Sequence, residues 1–244
     1  MSFDFIKAIK RPFTDFNKLS IGVLFLMIPY VNIITNFFVR GYRLEVAKTS
    51  MNRKSDMPKW QDFWNLFLRG LLSWIVGLIY LLPGIIMIFI SLGSTIYTIV
   101  SQYGINQGLS LGNSLSDQLI QNSLLQNISM IPVFIAGILL TMLGAYLTPL
   151  AIVRYAEKYK FKSAFDLGVI FKKTFSGNYF LAILAVIVYS FVLSLVVSTV
   201  SLGYGTLNIQ YLTAVLNIVL SGLSSFMIAV TSYTIFGEVY NKLK

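Results

Sequence analysis

The chain has 244 residues, 56% of them hydrophobic and only 11% charged, with a mean hydropathy of +0.75 and a formal net charge of +10. Soluble domains carry about a quarter charged residues, so the charge deficit excludes an ordinary water-soluble fold. Cysteine and histidine are both absent, which excludes disulfides, thiol and imidazole catalysis, and nearly all zinc and haem ligation.

In chain order, the first element is "FDFIKAIKRPF" (3–13), charged and amphipathic, which does not read as a cleavable leader. An apolar stretch follows at 19–39, long enough for one crossing of a bilayer. Next come "FFVRGYRLEVAK" (37–48) and a second charged segment, "QDFWNLFLRGL" (61–71). Long apolar spans are predicted near 71–100 and 128–152, joined by the polar loop 101–122. A third charged segment, "FDLGVIFKKTF" (165–175), precedes spans near 179–202 and 211–236, joined by a short turn at 202–210.

All 19 Lys and Arg fall in four segments, 1–18, 40–69, 153–178 and 236–244, and of the acids only Asp117 lies elsewhere. Short loops rich in Lys and Arg stay on the cytoplasmic side, so all four segments and both termini are expected inside, in a multi-pass protein of the cell membrane. The basic face that results is expected to meet anionic lipid headgroups. It carries no nucleic-acid-binding module.

The three charged segments share one template. An acid stands second (Asp4, Asp62, Asp166) and a base ninth (Arg11, Arg69, Lys173). Apolar residues fill the third, sixth, seventh and eleventh places, which at 100° per residue make one helical face. A second recurrence, with Tyr, Glu and Lys close together, stands at 37–48, 151–160 and 234–242. The chain therefore reads as a single all-α membrane domain over 1–244, built of three units at about 3–48, 61–160 and 165–242. Each unit is a hairpin preceded by an interfacial amphipathic helix.

The first hairpin is the odd one. Residues 19–39 cross once or re-enter, turning at Pro29, Asn32 and Asn36, and the charge rule and the repeat favour re-entry. On "FDFIKAIKRPF", "IPYVNII", "MPKWQDFWNLFLRGL" and the closing "FGEVY", the chain resembles a family of uncharacterised archaeal and bacterial multi-pass membrane proteins, a domain of unknown function. The resemblance implies no activity, cofactor or site.

Within the expected spans there is no Asp, Glu, Lys or Arg, which disfavours proton relays and ion-coupled carriers. Gly137, Thr141, Gly144 and Thr148, like Ser190, Ser194 and Ser198, recur at helical spacing and predict close helix packing. Pro83 and Gly84 predict a kink in the long second-unit span, or a discontinuous helix. The cytoplasmic carboxylates Asp62, Asp166, Glu45 and Glu157 predict ion pairs with Arg40, Arg69, Arg154 and Lys173. The triplet "NIS" (127–129) abuts a span too closely to weigh as a glycosylation site.

No enzyme, metal site or cofactor is expected. The leading expectation is a scaffold that organises lipid, with Lys10, Arg11, Arg69, Lys172 and Lys173 at the headgroups, or that docks a protein partner or a second copy of itself. The alternative is a small channel or facilitator with a polar path past Asn32, Asn36, Ser194, Asn217 and Ser221.

Overall fold

The computed structural model describes residues 3–28, 31–110, 128–205 and 209–243. Pro29, Asp117, Asn127 and most of the predicted loop at 101–122 lie outside the described residues. Among the described residues the secondary structure is helical throughout: α1 (Phe5–Lys10), α2 (Phe16–Met27), α3 (Asn32–Met51), α4 (Phe63–Ser110), α5 (Ile131–Lys158), α6 (Leu167–Thr174), α7 (Gly177–Gly205) and α8 (Gln210–Lys242). Short 3₁₀ turns at Arg11–Thr14, Ile128–Met130 and Phe161–Phe165 lead into helices.

Four stretches are long and apolar enough to cross a membrane: Phe63–Thr98, Ile128–Lys158, Gly177–Gly205 and Tyr211–Lys242. They match the four expected spans. In α7, Phe180, Leu184, Ile187, Phe191, Leu195 and Val200 are all exposed, a helix apolar on every side that needs lipid rather than water around it.

The chain forms two compact units, one of residues 1–76 with 147–244 and one of residues 77–146. In the smaller unit, α4 runs unbroken through Pro83, so the predicted discontinuity is absent. Pro83 is exposed while Gly84 is buried against α5, where a Cβ would collide with Thr141. Gly144 meets the Tyr80 backbone in the same way, so the predicted small-residue stripe is a seam between two helices.

In the larger unit α3 and α8 run in step, with Arg43 over the Tyr233 ring and Ala47 against Gly237. Helix α2 runs the other way along α8, its Gly22 under the Phe226 ring and Met27 against Gly222. The stretch 19–39 therefore holds two helices, α2 and the start of α3, that run in opposite directions. At its far end Phe25 and Phe38 stack with centroids 5.3 Å apart, and the Thr35 hydroxyl donates to the Phe25 carbonyl. At its near end Arg11 reaches Val46, Thr49 and Asp56. The 12 residues of α2 extend about 18 Å at 1.5 Å each, well short of a hydrocarbon core of about 30 Å.

The template segments fold less uniformly than their sequences predict. The first gives one helical turn and a 3₁₀ turn, the third gives the separate helix α6, and the second continues directly into α4. What they share is local. The acid stands just before the first helical residue in each, but only the first caps its helix through its side chain, Asp62 accepting from the Asn65 side-chain amide and Asp166 from Arg154 instead. Asp4 accepts from the Lys7 amide at 3.0 Å. The sixth place is buried in all three, as Ala8, Leu66 and Ile170. The remaining apolar places stay largely open, Phe13, Phe63, Leu167, Phe171 and Phe175 all being exposed.

Candidate functional site

Every basic segment meets another at one end of the larger unit. Arg11 ties 1–18 to 40–56, and the Asp4 amide donates to Glu238 at 3.1 Å, tying 1–18 to the last segment. Arg69 pairs with Glu45 at 2.5 Å and lies 3.8 Å over the Tyr159 ring, while Lys48 lies 4.0 Å over the same ring. Arg154 pairs with Glu157 and Asp166 and donates to the Tyr240 hydroxyl at 3.1 Å, closing the circuit. Tyr159 has a φ of 52°, in the left-handed region that a bulky side chain seldom adopts, and the two cations on its ring hold it there.

This circuit corrects the headgroup assignment at the ninth place. Arg11 is 2% exposed, its guanidinium donating to the Val46 and Asp56 carbonyls and to the Thr49, Ser50 and Thr234 hydroxyls. Burial pushes it down to about 10. A guanidinium so enclosed binds the protein's own backbone and not lipid. Arg69 is half-buried in its pair with Glu45, and Lys173 donates to the Tyr240 carbonyl and lies 3.7 Å over its ring. Lys10 and Lys172 remain exposed. Lys172 lines a cavity of about 330 Å³ with Arg154, Val169, Lys173 and Tyr240.

Of the predicted polar-path residues, the fold brings four together and leaves one out. Asn32 and Asn36 on α3 and Ser221 on α8 line a cleft of about 460 Å³. Asn217 lines an adjoining cavity of about 320 Å³ with Asn32 and Ser221, and its side-chain oxygen accepts from Ser201 at 3.0 Å and Tyr204 at 2.5 Å. Ser194 is exposed on α7 and lines neither cavity.

Two further lining residues, Arg40 and Arg43, were assigned by sequence only to ion pairing or to topology. Neither forms an ion pair among the described residues, and no carboxylate lines the cleft. Burial and then the neighbouring Arg43 push Arg40 below its ordinary value. The pattern was available in the sequence: 32, 36, 40 and 43 follow one helical face, and so do 221, 225, 228 and 232.

Among the described residues these features define an all-helical bundle of the polytopic membrane class, with a charged end and a polar cleft between α3 and α8. The chain belongs to the family described as Protein of unknown function (DUF4013), which it matches over residues 22–202, about three quarters of its length. Comparison with curated proteins and with solved structures gave no match.

Proposed function

We propose that the protein is a non-enzymatic organiser of membrane lipid in the cell membrane, with its charged end and both termini on the cytoplasmic side. The observation that carries this reading is the surface of that end, where exposed Lys10 and Lys172 stand beside exposed Phe13, Phe171 and Phe175 on short helices. Rings enter the acyl boundary while ammonium groups stay at the phosphates, the usual division of labour of an interfacial helix. The α2–α3 hairpin then re-enters through one leaflet, the length of α2 matching that depth. The acids nearby are occupied by bases, Glu45 by Arg69 and Glu157 by Arg154, which suits ion pairing rather than acid–base chemistry.

Replacing Lys10 and Lys172 together by Gln tests this reading. Native mass spectrometry of the purified protein should show fewer co-purified anionic lipids, with the melting temperature in detergent unchanged. Equal retention by the variant and the wild type would reduce the exposed lysines to a topology signal. A second reading, a small facilitator, draws on the gathering of Asn32, Asn36 and Ser221 along one cleft. Solute flux through proteoliposomes that stops with Asn36→Leu would favour it.

A further inference from the structure

The cleft between α3 and α8 contains more positive charge than the protein itself balances. Arg40 and Arg43 both line it, one helical turn apart, and neither has an acidic partner among the described residues. Across from them Ser232 is 6% exposed and its hydroxyl has no hydrogen-bond partner. The Arg43 Nε is likewise buried without a partner. Buried polar atoms are satisfied in more than about nine cases in ten, so two orphans lining one cavity mark a place for a ligand that accepts hydrogen bonds. Like charges so close also repel, and an anion between them removes the repulsion.

From Asn32 to Arg43 the lined length of α3 is about 16 Å at 1.5 Å per residue. The cationic end adjoins the charged layer, because Glu45, the partner of Arg69, lies two residues beyond Arg43. Apolar Leu26, Val39 and Ile228 occupy the same walls. We infer that the cleft is a binding site for a phosphate-bearing anion, held by the forks of Arg40 and Arg43 with the Ser232 hydroxyl as a third donor. Guanidinium suits this role because its planar fork matches phosphate oxygens two at a time. The apolar walls leave room for the acyl part of a lipid, and the same donors would take free phosphate. The inference uses the reading above only in placing the cleft within a leaflet, and shares no residue with its lysine test.

The experiment compares wild type, Arg40→Gln/Arg43→Gln and Ser225→Asp. Ser225 is exposed on the cleft wall, so Ser225→Asp puts a competing carboxylate into the cleft. Each delipidated protein is given phosphatidylglycerol, phosphatidylcholine or millimolar inorganic phosphate, with native mass spectrometry and melting temperature as readouts. Wild type should keep phosphatidylglycerol at least tenfold better than either variant does, and its melting temperature should rise by several degrees. Protection by inorganic phosphate alone would assign the same site to a soluble anion. Equal binding of every probe by wild type and both variants would overturn the site. The melting temperature without ligand shows whether a variant lost its fold, and Ser225→Asp then decides. Loss of lipid in the lysine double variant with the arginine variants unchanged would sink this inference and leave the lysine reading intact.

Discussion

Two helix seams in this molecule are built of different residues and pack differently. Between α4 and α5 in the smaller unit, Gly84, Gly137 and Gly144 bring backbones into contact, and the polar groups there satisfy themselves. Thr141 donates to the Gly137 carbonyl at 2.8 Å, and Ser91 to that of Met130 at 3.0 Å. Between α3 and α8, Asn32, Asn36, Arg40 and Arg43 share a cleft with Ser221, Ser225 and Ser232, while the same two helices close on each other beyond it at Ala47 and Gly237. A hydroxyl folds back onto its own helix and lets a neighbour close in. A guanidinium is too long to do so, and when buried it needs a partner elsewhere. Glycine and threonine line the closed seam, and Arg40 and Arg43 line the opening in the other.

The strongest way to break this contrast is to enlarge the closed seam. Gly84→Val places a side chain against the Thr141 backbone and side chain, which the helix cannot avoid without shifting. Overpacking of this kind costs about 3 kcal/mol, and the melting temperature in detergent should fall steeply. In the cleft, Asn36→Leu has room, and its melting temperature should stay within a few degrees of wild type. Equal losses in the two variants would show that the cleft is as tightly packed as the glycine seam.

A smaller loss is expected at the charged end. Arg11→Met removes the donor to two carbonyls and three hydroxyls. Those hydroxyls keep bonds within their own helices, Thr49 to Glu45, Ser50 to Val46 and Thr234 to Val230. The net cost is therefore set by the two carbonyls and the guanidinium, about 2 kcal/mol, and not by five bonds. A melting temperature equal to wild type would mean that the burial of the charge offsets all it binds.

Much of this was legible in the sequence. Period and hydropathy located four long helices, and the clustering of Lys and Arg foretold that segments far apart in the chain would meet. The repeated acid stands just before a helix in all three segments, although only Asp4 caps its helix with its side chain. The repeated base did not read correctly. Whether Arg11 faces lipid or is enclosed by α3 and α8 depends on a neighbour some 220 residues away, Thr234, which periodicity cannot supply. The cleft was half legible: Asn32, Asn36 and Ser221 stood out as polar among apolar neighbours, while Arg40 and Arg43 passed as members of the basic exit.

Acid should distinguish the ends of the hairpin more gently. Asp15 starts α2, and bonds from the Lys18 side chain and backbone hold its carboxyl below the usual carboxylate range. Because the folded value lies below the unfolded one, its contribution is complete above the unfolded value of about 3.9 and is lost as pH falls through the folded one. Asp15→Asn keeps a good cap and removes the charge. Melting temperatures between pH 6 and 3 should therefore converge for wild type and variant at the acid end. Parallel curves would show that the Lys18 pair adds nothing.

The smallest effect is expected at Ser194, which tests whether a polar residue at helical spacing must belong to a seam at all. Sequence places Ser190, Ser194 and Ser198 every fourth residue, the arrangement of a packed stripe. In the structure Ser194 is exposed, and beside it Phe191, Val192, Leu195 and Val196 are exposed as well. Such a position offers nothing to collide with. Ser194→Leu should change stability by less than about 0.5 kcal/mol, the range of surface substitutions, and its melting temperature should match wild type in detergent. A loss of several degrees would mean that a partner covers this face of α7. Size-exclusion chromatography with light scattering then identifies a second copy of the chain, since Ser194→Leu would lower the mass of the wild-type particle. A melting temperature and a mass that both hold would leave α7 as a lipid-facing helix.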